Sequence, residues 1–178
     1  DKATEAVKGF IKETQKEAKI AQGIAAQRAQ ADKLDRALIV ERAEANRVRA
    51  ELLEKAVNKE MFAANERIEF LKEAGRIEDE ITAKEIAAAK LRYDAKVAEN
   101  ALANSTKADL DEESNLQAAL IVLETAKLTK AKEVTSQIIA LKAEEAAALK
   151  AIRDEAAADI KEASDKEILD AKIAADKL

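Results

Sequence analysis

Three pairs of glutamates stand three residues apart: Glu41 and Glu44, Glu51 and Glu54, Glu66 and Glu69. On a helix that spacing sets both carboxylates on one face, which is how helical bundles present metal ligands. A carboxylate-bridged di-metal centre also takes a Glu-x-x-His motif from each of two helices. The chain contains no histidine, so the pairs are read as solvated charge on helix surfaces. The acidic run Asp109, Asp111, Glu112 and Glu113 lacks the central glycine of a calcium loop. It reads instead as the first turn of a helix, where carboxylates meet the positive end of the macrodipole. Ser105, Ser114, Ser136 and Ser164 have no base partner and no glycine elbow beside them, so none is a nucleophile. No lysine stands out as an activated amine. Tyr93, Phe10, Phe62 and Phe70 are too dispersed to stack bases. Glu41 and Glu145, which project toward apolar stripes, are the two carboxylates to examine for a raised pKa. The expectation is a non-enzyme with no catalytic, cofactor-binding or metal-binding residue, no cofactor and no small-molecule substrate.

Other function classes fall on composition. Without cysteine there is neither a disulfide framework nor a thiolate site, and without histidine the commonest general base and zinc ligand are missing. A net charge of -5 on a mixed-sign chain argues against a nucleic-acid partner, which needs clustered Lys and Arg. The longest apolar run, 118–123, is six residues, where a spanning helix needs about 20. The chain opens Asp1-Lys2-Ala3-Thr4, with no initiator Met and no apolar leader. It reads as a trimmed, soluble chain without an address, so its localisation is unknown.

The elements that carry these side chains are helical. Of the apolar residues 42 are alanine and 43 are larger, which predicts a thin core. The abundance of Ala, Glu, Lys, Leu and Arg marks long helices. With no proline and only Gly9, Gly23 and Gly75, little interrupts them.

The first segment sets Val7, Ile11, Thr14, Ala18, Ala21 and Ala25 on one face, widened by Phe10, Ile20 and Ile24. Near Asp32 the stripe loses its large residues. Either the helix breaks there, or an Asp32/Arg36 pair carries it through. The segment 34–74 shows two stripes, Ile39, Ala43, Asn46, Ala50, Leu53, Val57, Met61, Ala64, Ile68 and Leu71, and beside it Leu38, Ala45, Val48, Leu52 and Ala56. Two stripes predict two neighbours. Asn46 either fixes register from a buried position or sits at a wet boundary.

Gly75 is placed at a helix C-terminus, where positive φ costs it nothing, and a chain reversal is expected there. From Ile77 a third segment carries Ile81, Ala88, Leu91, Ala95 and Leu102 and ends at Asn104-Ser105-Thr106. Thr106, with Asp109 three residues on, starts the next helix. The spacings Thr82/Glu85 and Ser164/Glu167 fit capping boxes or ordinary mid-helix positions. The last segment, 116–178, carries one stripe through Leu120, Leu123, Lys127, Ala131, Val134, Ile138 and Leu141. It resumes after Glu145 with Leu149, Ile152, Ala156, Ile160 and Ala163. A hidden turn within 142–148 would split it.

Two all-α architectures are compatible with these breaks. With the breaks near Asp32 and Glu145, residues 1–178 form a single domain, an antiparallel up-down bundle of four to five long helices, which is the preferred expectation. Without them the chain is an extended three-helix, coiled-coil-like arrangement. Its outer helices then overhang in opposite directions with bare apolar stripes that only other copies of the chain can cover.

In style the whole chain resembles a de novo designed, idealised α-helical bundle. It is rich in strong helix formers, free of Cys, His, Pro and Trp, and carries the i,i+4 pairs Glu51/Lys55, Glu80/Lys84 and Glu162/Lys166. The resemblance implies a role in shape and assembly. The leading expectation is a structural, non-catalytic protein that self-assembles into a homo-oligomer or filament, so that its expected partner is itself. Two alternatives stand beside it: a natural coiled-coil scaffold or stalk binding a partner helix, and an amphipathic lipid-surface or desiccation-type helix.

Overall fold

A computed structural model describes residues 2–102 and 105–175, of which 95 % are helical, with no strand among the described residues. Three helices follow one another: α1 (Lys2–Val57), α2 (Ala64–Leu102) and α3 (Lys107–Ala175). The expected bundle of four to five helices is therefore corrected to three. No break occurs at Asp32 or within 142–148. Near Asp32 the missing large side chains are replaced by contact with α2. Ala31 is fully buried, and Arg92 reaches across to pair with Asp35 and, at 3.6 Å, with Asp32. Asp32 thus pairs across the interface and not along the helix to Arg36. Around Glu145 the alanines are the strongest helix formers available, and no cap or glycine stops them.

The first reversal also lies elsewhere than expected. Gly75 is inside α2, and no glycine among the described residues has positive φ. The chain turns at 58–63. Asn58 makes the turn by accepting through Oδ1 from the Met61 N–H at 3.1 Å, an Asx-type bond that substitutes for helix continuation. Phe62 and Phe70 meet edge to face across the turn at 5.0 Å. Glu66 then accepts from the Ala63 N–H at 2.9 Å, which is half of a capping box.

The second reversal falls where the sequence indicates. Asn104 lies outside the described residues, but Thr106 and Asp109 form the complete reciprocal cap. Thr106 N–H donates to Asp109 Oδ2 at 2.9 Å, and Asp109 N–H donates to Thr106 Oγ1 at 3.2 Å. Thr82, Glu85, Ser164 and Glu167 are all mid-helix.

Short turns make neighbours antiparallel, so α1 and α3 run the same way and α2 runs between them. Both outer helices pack on α2, and no Cα pair from α1 and α3 comes within 8 Å among the described residues. The buried face of α1 is the stripe Leu38, Ala45 and Ala56, continued back through Ala31 and Ile24. The other predicted stripe divides: Ile39, Ala43, Asn46, Ala50, Val57 and Met61 are exposed, Ile39 at 71 %, whereas Leu53 packs inward and Ile68 and Leu71 are buried in α2. So α1 has one neighbour where two stripes led us to expect two.

One apolar cluster joins Leu38 and Ala45 to Ile81 and Ala88. A second joins Ala56, Ile68 and Leu71 to Leu141 of α3. Among the described residues six of the twelve buried apolar ones are alanine, which lets the helices approach closely. Gly75 takes this furthest: a Cβ there would stand 3.1 Å from Val134 Cγ1 of α3.

Candidate functional site

As the central helix, α2 buries three charged side chains, Arg67, Glu78 and Lys96, and each is held by partners from other elements. An unpaired buried charge costs several kcal/mol in real proteins, of order 3–5 kcal/mol when a partner is removed. These partners therefore fix the register of the three helices.

Glu78, 3 % exposed, is the centre. Its carboxylate accepts from Arg42 Nη1 at 3.0 Å and is paired with Arg49 Nη1 at 2.8 Å, both from α1. From the other side it accepts from Lys130 Nζ of α3. Arg42 also forks onto Glu85, donating through Nε at 2.7 Å. Burial pushes the Glu78 carboxyl up, but the hydrogen bonds from Lys130 and Arg42 and the charges of Arg49 and Arg42 outweigh it and hold the group below its ordinary value of 4.5.

Arg67 sits at the 58–63 turn. Its Nε donates to Ala56 O at 2.8 Å, closing one of the free carbonyls at the C-terminus of α1. Its Nη1 reaches Glu144 of α3 at 3.4 Å. Glu144 is also paired with Lys59 at 3.0 Å, and that hydrogen bond holds its carboxyl below the ordinary range.

Lys96 lies at the opposite end, against the start of α3. It is paired with Glu112 at 2.6 Å and Asp109 at 2.9 Å, and hydrogen bonds to these two hold the ammonium above its ordinary value. Asp109, bonded by Thr106 and Lys96, is held correspondingly low.

The carboxylates singled out in the sequence are not brought together. Glu41 pairs with Lys84 of α2. Glu44 and Glu51 flank Arg47 at 2.5 and 2.6 Å, Glu54 is exposed, Glu66 is the cap described above, and Glu69 pairs with Lys72 at 2.6 Å. Glu145 is half-buried at the edge of the α2 contact. No group of three or more His, Cys, Asp or Glu among the described residues could hold a metal ion. Ser105 Oγ donates to Asn100 O at 2.9 Å and Ser114 Oγ to Leu110 O at 2.9 Å, so both hydroxyls are tied to backbone. An open groove of about 690 Å³ runs between α1 and α3 over Gly75, lined among others by Leu53, Val134 and Ile138.

The other outstanding feature is what α2 does not cover. Ile24 is the first buried residue of α1 among those described, and residues 4–23 are all exposed. In α3 the last buried residue among those described is Leu141, and residues 146–170 are all exposed. The apolar stripes nevertheless continue: Phe10 and Ile160 are each 71 % exposed, and Val7, Ile11, Leu149 and Ile152 stand out of the surface with them. The two projections leave opposite ends of the three-helix body. At 1.5 Å per residue, 2–23 extends roughly 33 Å and 145–175 roughly 46 Å.

No helix among the described residues is long and apolar enough to cross a membrane. No protein-family model matches the chain, and neither a curated protein nor a solved structure matches it.

Proposed function

We propose that this is a structural, non-catalytic protein that associates with further copies of itself through the helix faces that α2 leaves bare. The observation that carries the reading is the continuation of both apolar stripes past the ends of α2, with Val7, Phe10, Ile11, Leu149, Ile152 and Ile160 in solvent. Bare stretches of this kind are costly. Most helical stability in proteins comes from packing an apolar face, and contiguous exposed apolar surface marks an interaction site. The designed-bundle style of the sequence fits a role in shape. The buried Arg67, Glu78 and Lys96 depart from the purely apolar core that such sequences favour.

Light scattering on a concentration series tests the reading. The expected result is a mass that rises above one chain, toward a plateau for a closed oligomer or without limit for a filament. A mass fixed at one chain across the series would remove self-association and leave docking of another protein's helix as the use of these faces.

A further inference from the structure

The charge pattern on the two projections selects how the copies meet. Residues 2–23 carry five lysines and three glutamates, whereas residues 145–175 carry eight carboxylates and five bases. Each projection is therefore repelled by its own kind and attracted by the other.

The flanks of the stripes are sided as well. At 3.6 residues per turn, Lys8, Lys12 and Lys19 follow one side of the Val7–Ile11–Ala18 stripe, with Glu5 as the exception, and Glu13 and Glu17 follow the other. On α3, Lys150, Arg153 and Lys161 follow the corresponding side of the Leu149–Ile152–Ile160 stripe. Glu155, Asp159 and Glu162 follow the opposite side, with Asp154 and Lys166 as the exceptions, while Glu167 and Asp170, five turns beyond Leu149 and Ile152, lie on the stripe itself beyond its apolar part. When two helices lie parallel, stripe to stripe, each flank of one meets the opposite flank of the other, the arrangement that sets partner and orientation in coiled coils. Lysines of α1 then face carboxylates of α3, and glutamates of α1 face bases of α3. Antiparallel pairing would set like against like.

The fold supplies the same direction. Because α1 and α3 run the same way and project from opposite ends, shifting one copy along the long axis lays its α1 projection parallel to the α3 projection of the next.

Resting on the self-association proposed above, we infer that the occupant of each bare face is the other projection of a second copy, with residues 4–23 of one chain parallel to residues 145–170 of the next. The contact joins two different surfaces, so it propagates head to tail and yields an open filament, or a ring where the rotation closes.

Two variants of the full chain test it, K8E/K12E/K19E and E155K/D159K. Each alone is expected to associate at least tenfold more weakly than the unaltered chain, and their equimolar mixture to recover association. Circular dichroism at low concentration confirms that each variant keeps the three-helix body. Orientation is read from single-cysteine variants, unambiguous in a cysteine-free chain. A short thiol cross-linker should join Thr4→Cys to Ala148→Cys and not to Asp170→Cys. Association of either charge variant at the unaltered strength, failure of the mixture to recover, or cross-linking of Thr4→Cys to Asp170→Cys alone would overturn the head-to-tail pairing while leaving self-association standing. A single-chain mass for the unaltered protein would remove both.

Discussion

Glu78 carries the heaviest duty of any single side chain. Its carboxylate answers cations from both outer helices, which do not approach one another by backbone. Replacing it by glutamine leaves Arg42, Arg49 and Lys130 without their common counter-charge, and a loss of about 3–5 kcal/mol is expected in urea unfolding at pH 7. The pH dependence has a definite sign. The group is held below its ordinary value of 4.5 in the folded chain, so its contribution is complete above that value and is lost as pH falls below it through the folded value. Unfolding followed between pH 6 and pH 2 should show this fall in the unaltered chain and a shallower one in Glu78→Gln. In the sequence, Glu41 and Glu145 are the carboxylates that project toward apolar stripes. Glu78 interrupts one too, between Ala74 and Ile81. A chain reversal at Gly75, as the sequence suggests, would cut that stripe in two and hide Glu78 within it.

At the scale of the helices, Gly75 shows why the all-helical class was legible and the turns only in part. Periodicity and the scarcity of glycine and proline are enough for long helices, and the Thr106/Asp109 cap announced α3. The turn at 58–63 contains neither glycine nor proline. It is made by the Asn58 side chain, the Phe62/Phe70 contact and the Glu66 cap, none of which stands out from helical composition. Glycine instead serves the packing of α2 on α3. A methyl at position 75 meets Val134 Cγ1 at 3.1 Å, and a β-branched side chain on a helix has little rotamer freedom to yield. Nothing lies within 4 Å of a methyl placed at Gly9 or Gly23. Gly23→Ala should therefore gain up to about 1 kcal/mol of helix propensity. Gly75→Ala should fall short of it by at least about 1 kcal/mol as the contact is overpacked, and Val134→Ala in the same chain should restore much of the difference. Chemical denaturation of the three variants measures this.

For the molecule as a whole, the sequence offered the three-helix overhang as the second choice, because breaks near Asp32 and Glu145 would have given a compact bundle. What decided against them lies in α2, which holds Asp32 through Arg92 and offers nothing beyond Glu145. The stripes look alike inside and outside the body, so burial could not be read from periodicity. Hydrogen exchange should separate the two regions. In dilute solution, amides of residues 4–23 and 146–170 should exchange well before those facing α2, and raising the concentration should slow them selectively. Equal protection of projections and body at every concentration would contradict the bare-face description.

The zigzag path has a mechanical corollary. Tension applied between the start of α1 and the end of α3 loads the α1/α2 and α2/α3 seams lengthwise and in series. The 58–63 turn ties α1 to α2 at one end, so neither slides far past the other, and the chain lengthens only once α2 swings away from its neighbours and its charged anchors part. Load along the axis therefore falls first on the contacts that α2 makes with its two neighbours.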